Sequence, residues 1–171
     1  TPIQSLNRKI ALLPGERTLE GLIVNFSIAD NIVMSAGPKK GVLRDKKREK
    51  ELVDQYVKEV MIKTKNPSNP ASSLSGGNMQ KVVIGKCLAT NPKVLLLNNP
   101  TRGIDIKVKQ DIYLLMNQMR KNGKSIIMIS EELMELIGMC DRIIIMKDGK
   151  ISGELERDEA MDENSLITMM V

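Results

Sequence analysis

Three short apolar runs in the second half of the chain constrain the fold more than any other feature. They cover residues 94–97, 125–129 and 143–146, and the segments between them carry apolar residues at helical spacing. Continuous apolar strands that alternate with helices are typical of a parallel sheet with both faces covered. The sequence therefore predicts an α/β fold with a mostly parallel sheet flanked by helices. Because a membrane-spanning helix needs roughly 20 apolar residues, we expect no direct insertion into a membrane.

Turn signals place the other strands. Residues 10–13 are predicted as a strand because they form an apolar run that ends at Pro14-Gly15. Asp148-Gly149 predicts a tight hairpin turn, after which residues 151–155 return as an antiparallel edge strand.

Apolar periodicity and capping residues place the helices. A short helix capped by Ser27 or Asp30 is predicted to run through Met34 and to end at Gly37-Pro38. The sequence also predicts a loop over 66–73 and helices over 45–62, 77–89, 108–119 and 132–138. We therefore expect one domain, 1–171, with a helical subdomain at about 27–90 and a sheet half at about 91–171.

Composition excludes several classes of function. The chain has 171 residues, 42% hydrophobic and 27% charged, which is the balance of a folded soluble domain. It contains no histidine, the commonest general base and metal ligand, and we expect no metal held by a cluster of its side chains. Cys87 and Cys140 are expected to be buried free thiols. No charged-then-apolar leader opens the sequence, so we expect a cytoplasmic protein.

The net charge of +5 invites comparison with nucleic-acid-binding proteins. Much of the excess lies between residues 39 and 50, where the helix predicted from Asp45 mixes acids with bases, as a solvated helix face does. With two Tyr, one Phe and no Trp, the chain has almost nothing on which bases could stack. We therefore expect no nucleic acid among its partners.

A loop-to-helix junction at residues 74–81 carries the first chemical signal, with the sequence Leu-Ser-Gly-Gly-Asn-Met-Gln-Lys. Gly76 and Gly77 let a phosphate approach the backbone, and Ser75 can add a hydroxyl donor. The helix start also offers unpaired N–H groups at the positive end of its dipole. Taken alone, the pattern favours a plain helix cap.

Further segments follow in a set order. Residues 94–97 lead into Asn98-Asn99-Pro100-Thr101 and Arg102-Gly103-Ile104-Asp105, and residues 126–130 and 141–151 come later. Together with the junction, they resemble the signature motif, Walker B strand, D-loop, switch strand and closing hairpin of the ABC ATPases. The junction differs only at Met79 from the LSGGNQQK typical of sugar-importer ATPases. Pro100 to Asp105, and residues 11–22 as a Q-loop, have the form usual in the second half of their fused subunits.

The resemblance implies a fold, cofactors and site residues. The fold is a P-loop NTPase of the ABC type with a helical subdomain, and the cofactors of the complete domain are ATP and Mg²⁺. In such a domain Ser75, Gly76, Gly77 and Gln80 contact the ATP held by the opposite subunit of a head-to-tail dimer. Asp105 belongs to the loop that crosses the same interface.

The resemblance also implies partners and a location. The partners are a second nucleotide-binding domain and a membrane permease, which docks on the helical subdomain with residues 17–34 nearest to it. The chain is then peripheral on the inner face of the bacterial cell membrane, held there through the permease.

Several positions depart from the family. No G-x-x-x-x-G-K-[S/T] occurs in the sequence, so we expect a fold without the N-terminal strands and the phosphate loop. Asn98 and Asn99 replace an Asp that helps to hold Mg²⁺ and a Glu that polarises the attacking water. Glu131 stands at the switch position, often a histidine, and is explained equally well as an acid favoured at a helix start. Gly15 offers no side chain at the Q-loop position. We expect no ATP hydrolysis by this chain alone.

Other functions stay open at this point. One is a degenerate, non-catalytic partner that supplies the signature motif in trans. Another is a truncated gene product, whose unpaired strands invite aggregation. A third is an ABC protein of the translation or chromosome type, which the importer-like runs 78–80 and 100–105 and the scarcity of aromatic residues disfavour.

Overall fold

Parallel strands organise the first part of the molecule. In the computed structural model, which describes residues 1–36, 45–157 and 161–170, β1 (Ile10–Leu13) pairs in parallel with β2 (Val94–Asn98). β3 (Ser125–Ile129) completes a sheet of order β1-β2-β3. The predicted strands and the predicted parallel pairing are confirmed. Because parallel strands end at the same edge of a sheet, the residues after β1 lie beside those after β2.

One long helix forms the centre of the packing around this sheet. The helices are α1 (Pro2–Asn7), α2 (Ile28–Val33), α3 (Lys46–Glu59), α4 (Gly76–Leu88) and α5 (Ile106–Lys121). α4 contacts β1 and the helices α2, α3 and α5. It is therefore buried on almost every side, and its buried residues include Gly77, Gln80, Lys81, Val82, Val83, Ile84, Gly85, Cys87 and Leu88.

Within the described residues the strand side chains are buried unequally. Ala11 and Leu13 of β1 are buried, together with their partners on β2. On the other face Leu12 is 60% exposed, and Ile127 of β3 is also 60% exposed. The apolar composition of the strands indicates two covered faces, and Leu12 and Ile127 are strand side chains of the first 128 residues that stay largely exposed.

Local geometry moved several helix ends from their predicted positions. α3 ends at Glu59 rather than 62, because Met61 adopts a left-handed φ of 55° while Val60 and Ile62 are buried on either side of it. α5 is longer than predicted, because the Asp105 carboxylate accepts from the Val108 amide and caps its start.

Two further predictions concern α2 and the loop before α4. Ser27 caps α2 by accepting from the Asp30 amide, as predicted. The predicted end at Gly37-Pro38 lies outside the described residues. The loop over 66–73 contains one 3₁₀ turn, Ala71–Ser73, whose alanine is fully buried.

A hairpin forms the core of the second part of the chain. β4 (Arg142–Lys147) and β5 (Lys150–Glu156) pair antiparallel through a two-residue turn, in which Asp148 and Gly149 both have positive φ. The predicted hairpin is confirmed. α6 (Leu133–Met139) and α7 (Glu163–Met170) belong to the same part, whose buried core is Ile143, Ile145, Leu155 and Leu166.

The described residues fall into two compact units, Thr1–Met128 and Ile129–Val171. The predicted helical subdomain and the first two strands of the predicted sheet half therefore share one unit. α1 and α7 are not among the predicted helices. None of the described helices is long and apolar enough to cross a bilayer.

Candidate functional site

The start of α4 presents hydrogen-bond donors at the surface. Ser75 occupies the N-cap position in an extended conformation, and its hydroxyl makes no capping bond to the amides of the first turn. Instead the Ser75 oxygen accepts from Asn78 Nδ2 at 3.0 Å. Ser75 is exposed. Because the first N–H groups of a helix have no partner within the helix, this arrangement leaves them and the hydroxyl placed to receive an anion such as a phosphate.

The two glycines of the junction have different structural reasons. A Cβ atom on Gly77 would lie 2.9 Å from a methyl group of Val108, so the absent side chain is what lets α4 pack against α5. A Cβ atom on Gly76 would lie 3.2 Å from Nη2 of Arg17, a flexible side-chain end. Gly77 is buried and Gly76 only half-buried. The packing of the helix therefore requires Gly77, while Gly76 keeps the surface beside Ser75 open.

Gln80 and Asp105 connect this helix to the loop after β2. Gln80 is 3% exposed, and its Nε2 donates to the Pro100 carbonyl at 2.8 Å. Its amide therefore lies inside the protein rather than at the exposed helix start. Asp105 is exposed, and its carboxylate caps α5.

Arg17 joins three of the segments that the sequence singled out. Its guanidinium donates to the carbonyls of Arg102 at 2.8 Å and Gly103 at 3.3 Å, and it lies next to Gly76. The Glu16 carboxylate lies 3.5 Å from Arg102 Nη1, with both side chains exposed. The sequence places Arg17 in the Q-loop segment and at the start of the 17–34 stretch, but it predicts neither hydrogen bond, because both partners lie more than 80 residues away along the chain.

The end of β2 carries the two asparagines. Asn99 has a left-handed φ of 47°, and its Nδ2 donates to Asn98 Oδ1 at 3.4 Å. A Cβ atom on Gly15 would lie 3.0 Å from Asn98 Nδ2, so the glycine after β1 makes room for this amide. The structure thus brings Gly15, Asn98 and Asn99 together, as expected for the ends of parallel strands.

This group of side chains does not fit Mg²⁺. Magnesium prefers carboxylate and water oxygens in an octahedron, and the end of β2 offers two neutral amides. Within residues 1–36, 45–157 and 161–170, no three Cys, Asp or Glu side chains are grouped as metal ligands. We therefore derive no chemical step through a metal at this position.

Glu131 lies in the second unit, in an exposed bend between β3 and α6. Beside it, the Ser130 hydroxyl donates to the carboxylate of Glu135 and also accepts from the Glu132 amide. Glu135 is 5% exposed, so this serine anchors a buried carboxylate at the start of α6. This pair is not predicted from the sequence, because a single sequence gives no sign that Glu135 turns inward.

The thiols differ in their environment. Cys87 is buried, as predicted, and its Sγ donates to the Leu12 carbonyl at 3.4 Å. Burial raises the pKa of the Cys87 thiol to about 11, partly offset by the Lys86 ammonium. Cys140 is only half-buried, which corrects the prediction for it, because it follows the last turn of α6 at the edge of its unit. Burial raises the pKa of the Cys140 thiol most, and the nearby carboxylates of Asp141 and Glu135 raise it further. The Arg157 guanidinium partly offsets this rise.

Known proteins resemble this chain along almost its whole length. Residues 1–102 match the family model described as ABC transporter. The ribose import ATP-binding protein RbsA of Bacillus subtilis strain 168 is 45% identical over 165 residues, which are 95% of this chain and 33% of that protein. Its counterpart from Shouchella clausii strain KSM-K16 is 43% identical over 164 residues with the same coverage. The chain therefore spans about a third of the length of these curated relatives.

Solved structures agree on the fold. The ATP-binding cassette MJ1267 superposes with a TM-score of 0.80 at 19% identity, over 98% of this chain and 70% of the cassette. The dimeric cassette MJ0796 bound to ADP and Pi has a TM-score of 0.78 at 22% identity, over 91% and 66%. These identities support the fold alone, and the fold is the predicted one. With more than half of its residues matched by the family model, the chain belongs to the ABC transporter family and has the fold of its ATP-binding cassettes.

Proposed function

We propose that this chain acts in a sugar-type ABC importer, as part of the second ATP-binding half, and that it supplies Ser75, Gly76 and Gly77 to ATP held by an opposite subunit. ATP binding and hydrolysis at that head-to-tail interface then drive transport through a permease. The named relatives are ribose import ATP-binding proteins, which supports a sugar as the cargo.

One observation carries the proposal. The Ser75 hydroxyl is not used to cap α4, so it lies exposed together with the first amides of a 13-residue helix. The phosphate of a nucleotide is the ligand that such a helix start favours, through the N–H groups and the positive end of the dipole. Asp105 is also exposed, at the start of α5, whose Val108 lies next to Gly77, and this supports a contact between two nucleotide-binding domains there.

The same chain is proposed not to hydrolyse ATP by itself. Asn98 and Asn99 offer amides where the family uses carboxylates, and an amide cannot accept the proton of an attacking water. Loss of a general base alone costs about 10²–10⁴ in rate. The sequence also has no G-x-x-x-x-G-K-[S/T], so its own residues do not supply a phosphate loop.

A permease contact is proposed for residues 17–34. Leu19 is 83% exposed and Phe26 is 50% exposed, and Ile23 and Met34 are also exposed. Exposed apolar patches mark protein contacts, and we propose that these four side chains form one. The buried Asn31 braces this segment, since its side chain bonds Ile23 and the carbonyls of Phe26 and Ser27. Through this contact the chain would sit in the cytoplasm on the inner face of the membrane.

A second candidate is a degenerate partner that offers the signature motif in trans and never hydrolyses ATP. The same exposed Ser75 supports it, and the neutral end of β2 favours it. A truncated, inactive product is the third candidate, favoured by the exposed apolar side chains of Leu12 and Ile127.

The test combines this chain with a relative that binds ATP. The probe is the intact B. subtilis ribose import ATP-binding protein, with the serine that matches Ser75 replaced by alanine so that its own contribution is removed. ATP hydrolysis is measured while this chain is added. We expect a saturable rise with the unaltered chain, a much smaller rise with Ser75→Ala, and an unchanged rise with the exposed neighbour Ser72→Ala as control.

Two results would contradict these proposals. An equal rise with Ser75→Ala would exclude the trans contact. Hydrolysis by the purified chain alone, in the presence of Mg²⁺ and ATP, would exclude its proposed inactivity. An aggregated chain without a cooperative unfolding transition would favour the truncated product.

A further inference from the structure

A short hydrogen-bonded chain ends at the Ser75 hydroxyl. The backbone N–H of Lys63 donates to Asn78 Oδ1 at 2.8 Å. Nδ2 of the same side chain donates to Ser75 Oγ at 3.0 Å. Asn78 thus connects the turn after α3 to the serine before α4.

The backbone N–H of Lys63 fixes the direction of these two hydrogen bonds. A backbone N–H can only donate, so Lys63 must face the oxygen of the Asn78 amide and its NH₂ group must face Ser75. The serine oxygen therefore accepts, and a hydroxyl that accepts keeps its own hydrogen to donate elsewhere. A donating hydroxyl is what an anionic phosphate oxygen needs.

The turn that carries Lys63 is itself held in place. Lys81 lies one helical turn after Asn78, is 2% exposed, and its Nζ donates to the Met61 carbonyl at 3.2 Å. The same Nζ pairs with Asp111 of α5 at 2.7 Å. Two side chains of α4 therefore contact the turn 61–63: Asn78 accepts from the Lys63 N–H, and Lys81 donates to the Met61 carbonyl. The Lys63 amide therefore lies two residues after a carbonyl that is held by the buried Lys81 ammonium, which is itself paired with the partly exposed Asp111.

We propose that Asn78 is a positioning residue that holds the Ser75 hydroxyl as a hydrogen-bond donor toward the nucleotide phosphate. This role rests on the proposed function of the signature junction and deepens it. In this role Asn78 acts through the serine rather than by binding the phosphate itself. An amide is needed at this position because it must accept from Lys63 and donate to Ser75 at the same time.

An isosteric variant separates this role from folding. In Asn78→Asp one carboxylate oxygen still accepts from the Lys63 amide. The other oxygen can only accept, so the Ser75 hydroxyl donates its hydrogen bond to it and no longer has one for a phosphate. An acid in the first turn of α4 also suits the helix dipole. We expect the urea midpoint of unfolding to stay the same or rise, while stimulation of the partner in the assay above falls by about 10-fold or more.

A double-mutant cycle removes the effect of the added charge. Asn78→Ala is expected to lower stimulation about 5-fold when Ser75 is present. In the Ser75→Ala background the same change should lower stimulation by less than about 2-fold, since the two residues act as one unit. Equal factors in both backgrounds, or no effect of Asn78→Ala with Ser75 present, would overturn the role of Asn78 and leave the proposed function standing. No effect of Ser75→Ala would overturn both.

Hydrogen exchange of the free chain tests the bond without any nucleotide. The Lys63 amide is expected to exchange at least about 5-fold faster in Asn78→Ala than in the unaltered chain. Ser75→Ala, which leaves Asn78 in place, should not change it. An unchanged Lys63 rate in Asn78→Ala would overturn the proposal.

Discussion

The start of α4 and the end of β2 lie in the same unit but differ in the contacts that support them and in the groups that they present. At the start of α4 the surface donors are supported from behind by buried contacts, namely Gly77 against Val108 and Lys81 against Asp111. At the end of β2, Asn98 and Asn99 contact each other and Gly15, and no carboxylate stands at either position. A phosphate-binding surface depends on backbone amides and packing, whereas a hydrolytic centre depends on ionisable side chains. This contrast supports the proposal that the chain keeps the first without the second.

The largest expected effect is on the support of α4. Asp111→Ala leaves the Lys81 ammonium buried without its carboxylate and should lower the free energy of unfolding by about 3 kcal/mol. Asn98→Ala, at the end of β2, removes one long amide contact and should cost less than about 1 kcal/mol. Urea denaturation measures both. Breaking the exposed pair of Arg142 and Glu154, 2.8 Å apart, by Glu154→Ala is the control, and it should cost under about 1 kcal/mol. An equal loss in the free energy of unfolding for Asp111→Ala and Asn98→Ala would mean that the two regions do not differ in how they are supported.

A smaller effect separates the two glycines. Gly77→Ala forces a Cβ against Val108 and should lower the free energy of unfolding by about 1–2 kcal/mol, the cost of overpacking. Gly76→Ala meets only the mobile end of Arg17, and alanine is a better helix former than glycine. We expect its stability to stay within about 0.5 kcal/mol of the unaltered chain. The same urea series decides, and the reverse order would mean that α4 and α5 do not pack as described.

The next prediction contrasts the two regions in binding. Ser75→Ala should weaken stimulation of the ribose-importer relative about 10-fold, as for the loss of one hydrogen bond to a charged group. Asn98→Ala should leave stimulation unchanged, because the end of β2 contributes no charge to the partner's ATP. A loss of stimulation in Asn98→Ala that matches Ser75→Ala would show that both regions serve the same site.

The smallest expected effect concerns Cys87, in the last turn of α4. With a thiol pKa of about 11, only about one Cys87 in a thousand is ionised at pH 8. Burial slows its reaction further, so a thiol reagent should label Cys140 well before Cys87. A raised folded pKa favours the unfolded state once the thiol ionises. Its contribution to stability is therefore present below about pH 9 and is lost as the pH rises through about 11. Rapid labelling of Cys87 in folded protein would mean that α4 is not held against β1.

Much of the site could be predicted because the residues that mark it lie in short contiguous segments of the sequence. Glycines before a helical pattern indicated the start of α4, and Asp-Gly after β4 indicated the hairpin that the structure contains. The roles of Asn78, Arg17 and Glu135 could not be predicted. Asn78 and Arg17 contact residues 15 or more positions away, and the inward turn of Glu135 is set by how its unit packs.

The sequence by itself determined the α/β class, the order of the strands along the chain and the neutral character of the end of β2. These follow from apolar runs, turn residues and side-chain identity, which are local properties. Only the tertiary structure decided that Gly77 is required by Val108, that Gln80 turns inward to Pro100 and that Leu12 and Ile127 stay exposed. Those features depend on which distant segments meet, and packing rather than local preference determines that.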